Sequence, residues 1–468
     1  MSLFSYETIK MNRFIQLVKT RYQKPHPLEC PEWLRSLGFK VPPVRSLPRS
    51  FVNEELGISE IAKPFQSLPD LKRLLIDDEI LSLYSKPYTV PKITLLTYVY
   101  WDGLGDYFGQ KHLANFLKFA GIRVSEVSLV KKGKTFEADT GTVIPFEPSI
   151  MPTFSSSTLE AMQKSHMVLQ FPTYFPFTKA LQKLIGSGPN WEYLGECGFI
   201  NTVDYQPGTK RRSLGLHALE KGVFIPTLHG LDTPDEVKAP YFLAYTKTSS
   251  GFFNYLKALL ESKKRCIHII TFNPLHVIQA VQKKPKGLSK VTIKTKKTLT
   301  KHQLEQKGAE VFIDVMSEVP HEKFLSLLKG AHPFVACTGD TSFSEALALC
   351  KLPFYDPPPH KTPFFMDLTF IAETLFPKAL PFFKSPHHIH DLEVKNALYR
   401  LYSYIREERA ANQKILQMIY RRTYPKEILR FEEKLVDDFS LGTIKSQELL
   451  EKLKNALNAN IHGRSNLP

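Results

Sequence analysis

Residues Val335 to Pro359 read V-A-C-T-G-D-T-S-F-S-E-A-L-A-L-C-K-L-P-F-Y-D-P-P-P. Val335-Ala336-Cys337 predicts the end of a buried strand, Thr338 to Ser342 a tight polar turn, and Ser344 to Leu349 a short amphipathic helix. Lys351 to Tyr355 predicts another strand, stopped by Pro357, Pro358 and Pro359. Strand, turn, helix and strand in that order form the unit of a parallel α/β sheet. The turn gathers a glycine, small hydroxyls and main-chain N–H groups at a helix N-terminus, where the helix dipole favours an anion. An ordinary α/β turn has the same local grammar, so the functional weight of this one comes from a second turn far upstream.

That second turn follows Ile93 to Tyr100 (I-T-L-L-T-Y-V-Y), a continuous apolar strand. Trp101-Asp102-Gly103-Leu104-Gly105-Asp106 comes next, then a predicted helix from Tyr107 to Ala120 and a strand from Val124 to Val130. Met167 to Phe171 and Phe199 to Val203 read as later strands. A second series opens at Tyr241 to Tyr245. It continues as helix Phe252 to Ser262, strand Cys266 to Phe272, helix Pro274 to Gln282, strand Lys290 to Lys296, helix Lys301 to Lys307, strand Val311 to Val315 and helix His321 to Leu328. The fold expected is α/β, with two Rossmann-like domains facing one another and a ligand beyond the carboxyl ends of their strands. The divisions read from the sequence are 1–90, an N-terminal accessory segment broken by prolines; 91–235, the first domain; 236–390, the second; and 391–468, a helical C-terminal region with a disordered tail after about Ala459. In that last region Leu398, Leu401, Ile405, Ile415 and Ile419 are expected to be buried.

A chain of 468 residues, 43% hydrophobic, exceeds one typical core. Its net charge of +16 favours acidic partners of any class. The five cysteines, Cys30, Cys197, Cys266, Cys337 and Cys350, are scattered without a CxxC pair, so they read as thiols in a reducing compartment rather than a disulfide frame or zinc site. Cys266 and Cys337 are expected to be buried. No apolar run reaches the ~18 residues of a membrane span, and the first twenty residues lack the apolar centre of a secretion signal. The sequence thus predicts a cytoplasmic protein without a membrane partner.

The upstream turn carries two carboxylates, Asp102 and Asp106, around Gly103 and Gly105. At a strand's carboxyl end such an acid either takes a proton from a nucleophile or merely caps the next helix. The dinucleotide fingerprint is absent, because Phe108 stands where its third glycine belongs. A metal pair at Asp102 and Asp106 is an alternative, but two acids alone make a poor site, and no metal is expected. In the downstream turn, Gly339, Thr341 and Ser342 suit a diphosphate. Asp340 and Glu345 suit ribose hydroxyls, or the holding of neighbouring backbone and basic groups.

This layout resembles the GT-B glycosyltransferases, and within them the EarP-type protein-arginine rhamnosyltransferases. Their first turn, D-N-F-G-D-I-G, is matched by Asp102-Gly103-Leu104-Gly105-Asp106-Tyr107-Phe108. Their second, R-G-E-D-S-F-V-R-A, is matched by Thr338-Gly339-Asp340-Thr341-Ser342-Phe343-Ser344-Glu345-Ala346. Trp191-Glu192-Tyr193-Leu194, Lys221 to Pro226, Phe242-Leu243-Ala244-Tyr245 and Val319-Pro320-His321 are weaker echoes in the same order. The resemblance implies an inverting transfer of rhamnose from dTDP-rhamnose, a nucleotide-sugar substrate with no other cofactor, to an arginine of an acidic acceptor protein like elongation factor P. It implies Asp102 and Asp106 as the catalytic carboxylates, one or other of them the base that prepares the acceptor guanidine, and Phe242, Tyr245, His321, Gly339, Asp340, Thr341, Ser342 and Glu345 as donor-binding residues. Three departures stand out: the family arginine on the donor diphosphate aligns with Thr338, its glutamate with Asp340, and the aspartate after that with Thr341.

The lysines between Lys283 and Lys301 lack interleaved aromatics, so a solvated basic face is favoured over a nucleic-acid patch. In the Gly- and Pro-rich linker of residues 205–240, Arg211-Arg212 face either the cleft or solvent, with solvent favoured; His387, His388 and His390 have a spacing that suits a metal, but lack a carboxylate partner in helix register and read as a loop. Two functional classes follow: a nucleotide-sugar transferase, favoured by the two acids of the first turn, and a non-enzymatic binding protein for an acidic protein or nucleic acid, favoured by Thr338.

Overall fold

The computed structural model describes residues 90–195, 197 and 214–423, apart from 100–103, 133–140, 148, 174, 217–220, 229–230, 232–239, 263, 296–297, 305–306, 317–318 and 359–360. Asp102, the segment 1–89, the strand expected at 199–203, Arg211-Arg212 and the tail lie outside the described residues. The chain divides into two compact units. Among the described residues the first comprises 90–195 and 411–423, and the second 197–410.

The first unit runs β1 (Lys92–Val99), α1 (Gly105–Phe119), β2 (Arg123–Lys131), β3 (Thr142–Phe146), α2 (Ser156–Gln163), β4 (Met167–Gln170), α3 (Thr178–Ile185) and β5 (Asn190–Tyr193). Its sheet is parallel throughout, in the order β3-β2-β1-β4-β5. β1 is central and buried from Ile93 to Val99, as a strand covered on both faces must be. Its two threonines need partners there: Thr94 shares a 2.7 Å hydrogen bond with the Ser165 hydroxyl, and the Thr97 hydroxyl donates to the Phe171 carbonyl. Buried Gln110 ties α1 to the sheet. Its amide donates to the carbonyls of Leu95 (2.9 Å) and Val127 (3.2 Å), and its Oε1 accepts from the Ser128 hydroxyl at 2.6 Å.

The second unit runs β6 (Phe242–Ala244), α4 (Ser249–Leu260), β7 (Cys266–Thr271), α5 (Pro274–Gln282), β8 (Leu288–Lys294), β9 (Leu299–Gln303), β10 (Ala309–Val315), α6 (His321–Gly330), β11 (Phe334–Cys337), α7 (Asp340–Ala348), β12 (Leu352–Tyr355), α8 (Thr362–Leu375), α9 (Leu380–Lys384) and α10 (Leu392–Glu408). A last helix, α11 (Asn412–Thr423), groups with the first unit. The second sheet has the order β12-β11-β6-β7-β10-β8-β9. With the β8–β9 hairpin set aside, β12-β11-β6-β7-β10 repeats the order of the first unit: two strands on either side of the one that comes first in the chain. Both units are therefore doubly wound, with the order reversing beside β1 and beside β6.

Two expectations from the sequence are corrected here. The helix expected at Lys301 to Lys307 is replaced at Lys301 to Gln303 by strand: β9 pairs antiparallel with β8, from Lys294 opposite Leu299 to Lys290 opposite Gln303. The β-branched residues Thr292, Ile293, Thr295, Thr298 and Thr300 favour a hairpin, and the lysines between them masked it. Cys266 is exposed rather than buried, because it is the first residue of β7. Cys337 is buried as expected, and so are Leu398, Leu401, Ile405, Ile415 and Ile419. A ring cluster supports α7 and α8 from beneath. Phe343 meets Tyr355 at 5.1 Å and Phe364 at 5.3 Å, both edge-on. α10 is tied in by the Tyr402 hydroxyl, which donates to the Pro353 carbonyl at 2.8 Å.

Candidate functional site

In the second unit the strand order reverses between β6 and β11, and the loops beyond their carboxyl ends hold most of the residues singled out in the sequence. Gly339 precedes α7 with φ +75°, a left-handed conformation that glycine adopts without penalty, and a Cβ there would meet nothing within 4 Å. The helix starts at Asp340, four residues before the expected Ser344, so the polar turn shortens to Thr338-Gly339. Asp340, Thr341 and Ser342 form the first helical turn, and among the described residues no side chain caps the helix. Its N-terminal amides therefore have the orientation that receives an anion.

Ser342 is buried and its hydroxyl faces back into the protein. It accepts the Thr338 N–H at 3.2 Å and donates to the Thr338 carbonyl. The Thr338 hydroxyl in turn donates to the Asp356 carbonyl at 2.7 Å. Ser342 thus shapes the turn from within. Ser342→Ala is expected to cost about 1–2 kcal/mol of stability, the scale of one buried hydrogen-bonding group, read as a shift in urea midpoint with unchanged slope.

Tyr245, His321 and Glu345 converge. Tyr245 follows β6, is 38% exposed, and packs edge-on against Phe272 (5.8 Å) and Phe324 (5.4 Å). His321 opens α6 and stacks on the same Phe324 at 5.9 Å. Its Nε2 lies 2.9 Å from Oε1 of Glu345, which is 1% exposed on α7. Burial, and after it the Glu345 charge, pushes the Tyr245 phenol above its ordinary value. Phe242 stands apart. It is the first residue of β6, buried, with its ring 4.5 Å from that of His332 and the Lys264 ammonium 4.9 Å away. His332 lies before β11 and Thr338 beyond it, so Phe242 sits at the opposite end of these strands from the turn.

Sequence reasoning missed three residues. Asp356, just past β12 and 6% exposed, accepts the N–H groups of Lys247 (3.0 Å) and Thr248 (3.1 Å) and the Thr248 hydroxyl (3.2 Å). Its carboxylate fills the N-terminus of α4, while that of α7 has no such cap. A polar residue ending a buried strand was the available signal. Lys361 and Cys197, which hold Asp340, had none: a lysine ahead of a helix reads as surface, and Cys197 is distant in sequence.

In the first unit, Asp106 lies in the first turn of α1, beyond the carboxyl end of β1, half-buried. The N-cap residue is Leu104, so Asp106 complements the helix dipole without being the cap. Val99, Tyr107 and Val130 pack together with Leu104 and Phe108 and fix this helix start. Among the other features weighed, Lys290 and Lys294 pair with Glu310 (3.5 Å) and Asp314 (3.8 Å) across the sheet, as a solvated face requires. His387 accepts or donates at 2.6 Å with the Ser385 hydroxyl, while His390 meets the Ala258 carbonyl at 2.8 Å. Among the described residues, no helix is long and apolar enough to cross a membrane.

No family model matches the chain, and no curated protein does. Among solved structures it is similar to an alpha-glucosyltransferase in complex with UDP and a 13-mer DNA containing a HMU base, at 11% identity and a TM-score of 0.37, covering 75% of this chain and 100% of that one. It is similar to glycosyltransferase VinC in complex with dTDP, at 9% identity and a TM-score of 0.38, covering 71% and 99%. A third, the glycosyltransferase SnogD from Streptomyces nogalater, aligns at 11% identity and a TM-score of 0.34, covering 71% and 99%.

Proposed function

We propose that this chain is a nucleotide-sugar-dependent glycosyltransferase of the GT-B kind. The observation that carries the proposal is the strand-order reversal beside β6, where an uncapped helix N-terminus with a left-handed glycine stands in the same loop layer as an exposed tyrosine and the His321–Glu345 pair. The α7 amides receive the donor diphosphate, Tyr245 supports the base, and Glu345 with His321 holds the nucleoside. By the sequence resemblance the donor is dTDP-rhamnose and the acceptor an arginine of an acidic protein. There Asp102 and Asp106 orient the guanidinium, whose pKa above ~12 makes it a poor nucleophile unaided, and one of them takes the proton it loses as its nitrogen bonds the sugar and the bond from sugar to diphosphate breaks. Transfer inverts the sugar's anomeric carbon, and the α7 dipole stabilises the leaving diphosphate.

The test is a thermal-shift series with dTDP, UDP, GDP and ADP. A ligand at ~100 times its Kd stabilises a protein by about 2.7 kcal/mol, so binding of any one of them raises the melting temperature measurably. Tyr245→Ala is expected to weaken the bound nucleotide by about 0.5–1.5 kcal/mol, the value of one aromatic contact. Calorimetry showing unchanged affinity would make Tyr245 a packing residue only. A second reading, a non-enzymatic binder for an acidic protein or nucleic acid, is favoured by Thr338, whose hydroxyl is committed to Asp356 and supplies no cation. Binding of a nucleoside diphosphate without sugar transfer from any donor would select it.

A further inference from the structure

A buried cation beside the α7 turn belongs to a residue that neither the sequence motifs nor the proposed chemistry uses. Lys361 is the N-cap residue of α8 and its side chain is 2% exposed. A buried ammonium is costly unless acceptors surround it. Lys361 Nζ donates to Asp340 Oδ2 at 2.8 Å and to the Cys197 carbonyl at 3.3 Å. The Cys197 N–H donates to the same Asp340 oxygen at 2.7 Å. One carboxylate oxygen is thus gripped by an ammonium and an amide, the pair of donors that a phosphoryl oxygen also takes.

Asp340 is the first residue of α7, it follows the left-handed Gly339, and its side chain is 19% exposed. An acid at this place opposes any phosphate brought to the helix N-terminus. It also neutralises a cation that would attract that phosphate. Stability alone gives weak reason for the arrangement, because an apolar pair of similar volume commonly serves a fold as well as a buried ion pair.

We propose that Lys361 and the Cys197 amide form the cationic half of a phosphate site, and that Asp340 is an internal anion occupying it until a ligand's phosphate takes its place. The proposal rests on the α7 turn being a nucleoside-diphosphate site. On ligand entry the Asp340 side chain turns toward solvent by a change of rotamer, and a phosphate oxygen accepts from Lys361 Nζ and Cys197 N–H in its stead. The two members of the ion pair then have opposite effects on affinity, whereas a purely structural pair would weaken binding whichever member is removed.

The experiment titrates inorganic pyrophosphate, dTDP and UDP into the full chain and its variants, by calorimetry and thermal shift. Asp340→Ala strands the Lys361 charge, so it is expected to melt lower than wild type without ligand and to bind pyrophosphate about 10-fold tighter, one charge-assisted hydrogen bond's worth. Asp340→Asn, which keeps the shape, is expected to gain less in the same direction. The double variant Asp340→Ala/Lys361→Met restores neutrality, recovers stability and loses the gain. If neither Asp340 variant binds more tightly, or the double variant binds as tightly as Asp340→Ala, the proposal is overturned. Nucleoside-diphosphate binding indifferent to both residues overturns it while the nucleotide reading stands. A Lys361-dependent gain for pyrophosphate, in a chain that binds no nucleoside diphosphate, upholds the anion site and removes the nucleotide reading.

Discussion

Asp106→Asn is expected to lower sugar transfer about 100-fold or more, the range of a lost general base or charge orienter. Nucleotide affinity should stay within about twofold. The asymmetry follows from where the residue stands: Asp106 belongs to the first unit, while the proposed diphosphate site belongs to the second. Asparagine keeps the size of aspartate but not the negative charge that a guanidinium needs beside it. Position in the first turn of α1 makes a structural effect predictable as well. Removing a charge that complements the helix dipole costs roughly 0.3–1 kcal/mol, too little to unfold the protein. The measurement is mass spectrometry of the intact acceptor after incubation with donor, beside calorimetry with the nucleotide. Normal transfer by the variant would remove Asp106 from the chemistry. Reduced transfer with a matching loss of nucleotide affinity would make it a folding or docking residue instead.

The architecture was largely legible because its strands announce themselves. Ile93 to Val99 is an unbroken apolar run, which only a strand covered on both faces needs, and it became the centre of a sheet. Val335-Ala336-Cys337 and the strand before Asp356 were legible for the same reason. What local pattern hid was pairing and depth. Lys301-His302-Gln303 reads as a helix when counted by charge, and becomes a strand only because β8 is beside it. Phe242 and Tyr245, three residues apart, share a motif in the sequence but lie toward opposite ends of β6, one buried under His332 and the other exposed beside Phe324. The candidate site was half legible. Gly339, Tyr245, His321 and Glu345 were found from small motifs. Asp356 and Lys361 were not, since each takes its meaning from partners more than 100 residues away in the chain: Lys247 for one and Cys197 for the other.

Asp356 carries the other large expected effect. Asp356 ties three segments together: its carboxylate holds Lys247 and Thr248 ahead of α4, its main-chain carbonyl accepts the Thr338 hydroxyl, and its main-chain N–H donates to the Cys337 carbonyl at 2.8 Å. A Cβ on Gly251 would come within 2.2 Å of that carboxylate, so glycine is what lets the acid reach the helix end. Asp356→Ala takes the shared acceptor from two part-buried N–H groups and a hydroxyl, and roughly 1–3 kcal/mol of lost stability is expected. The pH dependence separates charge from packing. Burial raises the Asp356 carboxyl from 3.8 to about 6, against the opposing pull of the Thr248 and Lys247 hydrogen bonds. The folded protein therefore holds a proton that the unfolded chain releases, and the contribution of this group to stability falls as pH rises from about 4 to about 6. Its full span, at 1.36 kcal/mol per pKa unit, is about 3 kcal/mol as an upper figure. Asp356→Asn keeps an acceptor oxygen and cannot titrate. Urea unfolding of both proteins at pH 4 and pH 7 is expected to show wild type losing stability relative to Asp356→Asn on going from the lower to the higher pH. Parallel pH profiles would mean that the α4 amides, not burial, set the charge on Asp356, and that the acid stays ionised throughout.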